Sequence, residues 1–340
     1  MFILKGDSHV FKKNKKMIML LITVMVMSIW LAACGSKPAE NGTAAGENNT
    51  ATETETQTEA PAERTLTDAM GHEVKIPANL ERIIASYLED NLVTLGVKPV
   101  AQWSVANGIQ EYLQKDLDGI PTIAFDLPFE AVASFNPDLI IIGSESVVEG
   151  EKYAQYSKIA PTYVLGDEIN SDWRKALLKI GEILNKGDEA QKALDDYEVK
   201  ATEIKEKINT VTGGTKSAAA IWLVSGKFFI VSDNVSSGEV MYKELGLAEP
   251  EVVKEISAKA TGNWSSISLE KLAEMDVDYL FFVNSDEGTG SEALKDPVWQ
   301  SIPAVKNGNL FEFTRSSSWL YSGVQANLQI MEDIQNSIVK

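Results

Sequence analysis

The sequence predicts an α/β protein built from two similar lobes, with mostly parallel sheets and one long helix between them. Three observations lead there. Residues 128–143 (PFEAVASFNPDLIIIG) and 268–283 (SLEKLAEMDVDYLFFV) align without a gap at an offset of 140, each a short helix, a turn and a continuous apolar strand of the kind buried in a parallel sheet. Strand-like and helical patterns alternate on either side of both copies. Between them, residues 188–209 (DEAQKALDDYEVKATEIKEKIN) carry a helical period long enough, at about 1.5 Å per residue, to cross a lobe.

The elements follow in chain order. Lys12, Lys13, Lys15 and Lys16 precede an apolar run from Met17 to Ala33 that ends in Leu31-Ala32-Ala33-Cys34-Gly35. A positive flank, an apolar core and small residues at its end are the anatomy of a secretory signal. Cys34, the only cysteine of the chain, stands where cleavage falls, and the segment resembles the lipobox of bacterial lipoproteins, in which that thiol is lipidated. Seventeen apolar residues are at the short limit for a membrane span. Residues 34–62 continue without an aromatic residue or any Leu, Ile or Val, which suits a disordered tether.

The first lobe is expected over 63–170. Glu81–Ala85, Lys98–Ala101, Thr122–Ala124 and Thr162–Val164 read as its strands, beside the apolar end of the first repeat copy. Glu89–Val97 (EDNLVTLGV) is echoed by Glu239–Leu247 (EVMYKELGL), with Gly96 and Gly246 at positions that fit a helix C′. The connection is expected over 171–209: an amphipathic helix over 171–184, a stop at Asn185-Lys186-Gly187, and the long helix with Asp188 as N-cap. The second lobe follows over 210–340, with strands at Ala218–Val224, Phe228–Val231 and Asn309–Phe313.

Composition narrows the function. The 340 residues hold 31 Lys and Arg against 49 Asp and Glu, a net charge of −18. Loss of residues 1–33 removes five of the basic and one of the acidic residues and takes the charge to −22. That excess opposes a nucleic-acid partner, whose phosphates need clustered Lys and Arg. With one Cys, and with His9 and His72 the only histidines, neither a disulfide framework nor a protein-held metal centre is expected. No GxSxG, P-loop, HExxH or dinucleotide fingerprint is present, so an enzyme is not expected.

A lipobox, an acidic tether, two repeated lobes and one connecting helix together resemble a substrate-binding lipoprotein of a bacterial ABC importer. More narrowly, residues 64–338 resemble the iron-siderophore and cobalamin binding family. The motifs are PFEAVASFNPDLIIIG, DWRKALLKIGEILNKGDEAQKAL, NWSSISLEKLAEMDVDYLFF, DPVWQSIPAVKNGNLFEF and SSSWLYSGVQANLQIMEDI. The resemblance implies two Rossmann-like lobes joined by a single bridging helix. It also implies a ferric siderophore as ligand, with iron held by the siderophore and no cofactor. The partners it implies are permease subunits with their ATPase, and the chain itself is a monomer on the outer face of a Gram-positive type membrane. It carries permease docking to Glu130 and Glu270, which as first-turn carboxylates also complement a helix dipole in any protein.

Ligands of open α/β sheets bind beyond strand ends. Candidate cleft residues are therefore Tyr87, Trp103, Phe125, Trp264, Trp319 and Tyr321 on expected loops, with Trp222 on a strand, while Trp173 and Trp299 are assigned to packing. Core packing is the alternative for each aromatic. Lys227 and Arg315 are the only basic residues near these loops, too few for a ferric catecholate of about three negative charges. A neutral or weakly positive ferric hydroxamate fits better, with Arg315 as a candidate contact. A catecholate, cobalamin or haem on the same fold and a lipid-anchored sensor without transport remain alternatives.

Overall fold

The computed structural model describes residues 62–106, 108–260, 262–286 and 294–339, which belong to one compact unit, Glu59–Lys340. Cys34, the leader and the tether lie outside the described residues. The chain enters through a hairpin not foreseen from periodicity, β1 (Arg64–Thr67) with β2 (Glu73–Ile76), in which buried Val74 and Ile76 alternate with exposed Glu73 and Lys75. Asp68 holds its turn by accepting from the N–H groups of Met70 and His72, and the His72 ring stacks on Tyr153 at 3.7 Å.

Six strands follow in the first lobe: β3 (Ile83–Ile84), β4 (Gln102–Val105), β5 (Gly108–Ile109), β6 (Thr122–Ala124), β7 (Leu139–Ile142) and β8 (Thr162–Val164). They form two sheets, β3-β7-β8, all parallel, and β5-β4-β6, with β4 parallel to β6 and antiparallel to β5. One expected strand is displaced. The ladder with β6 begins at Gln102, beyond Lys98–Ala101, where Pro99 has no N–H to give and the Val100 N–H donates instead to the Ile83 carbonyl of β3. The Gln102 side chain then fixes the start by donating to the carbonyls of Leu117 and Ile120.

The second lobe is one five-stranded sheet. Its strands are β9 (Ala218–Val224), β10 (Lys227–Val231), β11 (Trp264–Ser266), β12 (Tyr279–Asn284) and β13 (Leu310–Thr314), in the order β11-β10-β9-β12-β13. β9, β12 and β13 run parallel, and β10 and β11 add antiparallel.

The internal repeat is structural. Its copies place helices Phe129–Ser134 and Leu269–Ala273 ahead of β7 and β12. The aligned aspartates do the same work in each: Asp138 accepts from the N–H groups of Glu81 and Arg82, just before β3, and Asp278 from that of Ser217, just before β9. The weaker echo holds too. Helix Glu89–Thr94 stops at Gly96 with φ 69°, and the helical stretch Ser236–Glu239 with the π-helical turn Val240–Glu244 stops at Gly246 with φ 71°.

Helix Trp173–Ile183 is capped by Asp172, which accepts from the N–H groups of Arg174 and Lys175. Gly181 lets the chain return close beside it, since a Cβ there would stand 2.6 Å from that of Ala190. The bridging helix runs Gly187–Thr212, 26 residues or about 39 Å, longer than its sequence pattern indicated. Asp188 lies inside the first turn and is not the N-cap; that position is Lys186, which makes no side-chain cap, so Asp188 acts on the dipole. The helix ends at Gly213, φ 68°. Its buried stripe, Ala190, Leu194, Tyr197, Ala201, Ile204 and Ile208, belongs to one apolar cluster that includes Ile83 of the first lobe and Phe281 of the second. Arg174 adds a polar tie: its guanidinium lies 2.6 Å from Glu244 and 3.0 Å from Glu198, over the Trp173 ring. The final helix, Val324–Ile338, packs along the bridging helix and is not confined to the second lobe, as described below.

Candidate functional site

A cavity of about 320 Å³ opens where the two lobes meet the connection. Tyr87, Asp90, Asn91, Gln110 and Asn170 come from the first lobe, Ser171 and Trp173 from the connection, and Asn234, Glu239, Asn263, Tyr321 and Ser322 from the second. Trp173, assigned to packing by its sequence context, is 7% exposed and yet borders the cavity, where its Nε1 donates to Glu239.

The aromatic wall crosses from one lobe to the other. The Tyr87 ring lies 5.1 Å from Trp103 and 6.3 Å from Tyr321, and Tyr321 lies 4.9 Å from Tyr112. Tyr87 follows β3 in the left-handed region, φ 65°, and Ser236, which opens the corresponding helix of the second lobe, has φ 48°. Such strain costs on the order of 1 kcal/mol or more per residue and gathers at ligand sites. Ser236 is held there by donating to the carbonyl of Trp319 or of Tyr321, at 3.0 and 2.8 Å. Half-buried Trp103 lies within β4, not beyond a strand end, and its ring reaches the wall from there.

The other candidates divide. Trp222 and Trp264 meet edge to face at 5.8 Å; Trp222 Nε1 donates to Ser285, whereas the buried Nε1 of Trp264 has no partner. Neither borders the cavity, although Asn263, next to Trp264, does. Phe125, 62% exposed, follows β6 away from the cavity lining, and exposed Arg315 lies in the turn after β13, also away from it. Trp319 requires a correction. It is 0% exposed, its Nε1 donates to Asp333 at 2.9 Å, and its ring stacks against Phe281 and Phe313 at 4.9 and 4.8 Å. With no free face, it is core. Glu130 and Glu270 are exposed on the matched helices, and Ser268 caps the second by accepting from the Lys271 N–H. The backbone N–H of Glu270 and the Ser268 hydroxyl hold the Glu270 carboxyl below the usual range.

Three residues were not legible as site residues in the sequence: Asp90, which lines the cavity, and Tyr112 and Glu89, buried behind its aromatic wall. Glu89 is 0% exposed; its Oε1 accepts from the Trp103 N–H at 2.6 Å while Oε2 has no partner, and burial raises its carboxyl to about 7. Burial raises Asp90 to about 6, against hydrogen bonds from Ala326, Gln325 and Tyr112. Burial likewise pushes Tyr321 up to about 12 and Tyr112 well above the usual tyrosine range. The cavity thus offers phenol, amide and carboxylate oxygens, and no Lys, Arg or His lines it. Among the described residues, no three His, Cys, Asp or Glu stand together to hold a metal ion.

Residues 90–316 match the model of a protein family described as periplasmic binding protein. The chain is 26% identical to the probable siderophore-binding lipoprotein YfiY of Bacillus subtilis strain 168, over 96% of this chain and 99% of that one. It is 26% identical to the iron(3+)-hydroxamate-binding protein YxeB of the same organism, over 93% and 95% of the two chains. Among solved structures it resembles a FhuD-fold periplasmic binding protein component of a Fep/Fec-like ferrichrome ABC transporter from Bacillus subtilis, with a TM-score of 0.68 and 24% identity, covering 81% of this chain and 100% of that one. Two lobes on one bridging helix, a cavity between them and a family match over two thirds of its length agree: the chain belongs to the periplasmic binding protein family.

Proposed function

We propose that this protein captures a preformed ferric siderophore of hydroxamate type outside the cell and delivers it to an ABC importer. The observation that carries the ligand class is the cavity's lining: phenol rings from both lobes, amide side chains, two carboxylates and no basic residue. An anionic chelate would enter against Asp90 with no cation in the lining to meet it, since the nearby Arg174 is already engaged by Glu239, Glu244 and Glu198. A neutral or weakly positive hydroxamate meets apolar ring faces and amides that can bond its oxygens. The name of YxeB, an iron(3+)-hydroxamate-binding protein, supports this class, and that of YfiY supports a siderophore as ligand.

The steps follow. The siderophore keeps the iron, and the protein buries the complex against Tyr87, Tyr321 and Trp103. The continuous apolar cluster through the bridging helix restricts lobe movement. Lipid on Cys34 keeps the protein at the membrane, and Glu130 and Glu270, one on each lobe, pair with permease cations and set its orientation while the ATPase drives uptake.

Tryptophan fluorescence of protein lacking residues 1–34 tests the ligand, titrated with ferrioxamine B, ferrichrome, a ferric catecholate, haem and cobalamin. Saturable quenching by the hydroxamates and not by the catecholate is expected. Quenching by the catecholate, cobalamin or haem alone would overturn the ligand class. Docking has a separate test: the double variant Glu130→Ala, Glu270→Ala should lose uptake and keep the wild-type Kd, and a weakened Kd would refute that role.

A further inference from the structure

Gly323 stands at the N-cap of helix Val324–Ile338 and has no side chain to satisfy the first-turn N–H groups. Asp90, from the first lobe, does so instead. Its Oδ1 accepts from the Gln325 N–H at 3.1 Å and its Oδ2 from the Ala326 N–H at 2.9 Å. Gly323 has φ 145°, and a Cβ there would stand 2.4 Å from the Asp90 carboxylate, so the glycine and the acid fit as a pair. Asp90 Oδ2 also accepts from the Tyr112 hydroxyl at 3.1 Å, and Tyr112 packs on Tyr321 in the cavity wall. Beside these bonds, Ala326 joins Tyr112, Leu113 and Leu117 in a small apolar cluster of its own. One buried carboxylate therefore joins a first-lobe helix, the C-terminal helix and the aromatic wall.

We propose that Asp90 is the positioning residue of the cleft, locking the C-terminal helix to the first lobe and, through the buried Tyr112 ring behind it, setting the position of the Tyr321 ring against which the ligand packs. The part concerning the ligand rests on the siderophore reading above. The groups facing Asp90 are Tyr112, then Tyr87 and Tyr321 across the wall, Glu89 on its own helix, Glu239 across the cavity, and the neutral Thr94 and Gln325 side chains. No cation among the cavity-lining residues offsets its charge, and burial holds its carboxyl near 6. The lock is charged at pH 7.5 and neutral at pH 5. The buried carboxyl is held above its solvent-exposed range, so opening the lock would release its proton, and by linkage the closed lock gains stability as pH falls through about 6 and loses it as pH rises.

The test uses the full-length protein as wild type, Asp90→Asn and Gly323→Ala. Hydrogen-exchange protection of the Gln325 and Ala326 amides is measured without ligand at pH 7.5 and 5, and ferrioxamine B affinity by fluorescence under the same conditions. Asp90→Asn should lower protection of that first turn about tenfold, the loss of one charge-assisted hydrogen bond, leave the rest of the helix protected, and raise the Kd by a similar factor. With Glu89→Gln in the background, so that Asp90 alone titrates of the two, first-turn protection should rise from pH 7.5 to 5 and stay flat once Asp90→Asn is added. Gly323→Ala keeps the carboxylate, forces the helix off it and should lose the same protection; it also serves if Asp90→Asn does not fold. Wild-type protection in both variants, or a pH step that survives Asp90→Asn in the Glu89→Gln background, would overturn the lock. If wild type binds no ferric siderophore while Asp90→Asn still loses first-turn protection, the ligand reading fails and the lock stands.

Discussion

Replacing Glu89 by glutamine should make the protein less sensitive to rising pH. The carboxyl is buried beside Trp103 with one oxygen unpartnered, and burial lifts it from 4.5 to about 7. A folded-state value above the unfolded one means that the folded protein holds a proton the unfolded chain has released. The resulting stabilisation is complete below about pH 4.5 and is lost as pH rises through 7. At about 1.4 kcal/mol per pH unit of difference, this one group should remove about 2–3 kcal/mol between pH 5 and 8, with about 1 kcal/mol of that between pH 6 and 8. Glutamine keeps the acceptor for the Trp103 N–H and has no charge to bury. Urea unfolding of wild type and Glu89→Gln at pH 5, 6, 7 and 8 measures the difference directly, and comparison cancels the other titrating groups, Asp90 included. The gap between the two proteins should move in favour of the variant as pH rises. A gap that stays constant across pH 6–8 would show that Glu89 is already ionised in the folded protein, and the desolvation argument would fail.

Three further outcomes follow from the same structure. Tyr87→Gly should raise stability by up to about 1 kcal/mol, because glycine accepts φ 65° without strain, while weakening ferrioxamine B binding about tenfold; thermal unfolding and fluorescence titration read the two opposed effects. Trp319→Ala should cost about 3–5 kcal/mol by opening the stack between Phe281 and Phe313, whereas Trp319→Phe should bind ligand with wild-type affinity, since no part of the ring is exposed. Arg174→Met should cost about 2 kcal/mol in urea unfolding, because it leaves Glu244 half-buried among Glu198 and Glu239 with their shared cation removed.

The repeat was legible because a buried parallel strand leaves a continuous apolar run and a preceding carboxylate that any reader can align. Asp138 and Asp278 are matched in sequence for the same reason that they are matched in space: each must satisfy backbone donors where a neighbouring strand begins. The bridging helix was visible from its period, though its true start at Gly187 was hidden, since Asp188 looks like a cap and instead lies one step inside. β1 and β2 were missed because four-residue strands with only Val74 and Ile76 fully buried leave too short an alternation to register.

Sequence by itself determined the family of fold, the repeated helix–strand unit of both lobes and most of the parallel strands, the matched positions of Glu130 and Glu270, and the predominance of acidic over basic residues. All of these depend on neighbours along the chain or on composition. Tertiary structure alone decided which aromatics meet. Trp319 and Tyr321 are two residues apart, yet one is sealed in the core and the other faces the cavity, because a short helical turn at Ser318–Leu320 sends their side chains to different sides. It also decided that Asp90 caps a helix more than 230 residues away. A carboxylate in a first helical turn is written in the sequence as an ordinary dipole partner. What it binds depends on which other helix the packing brings to it, and no local pattern carries that information.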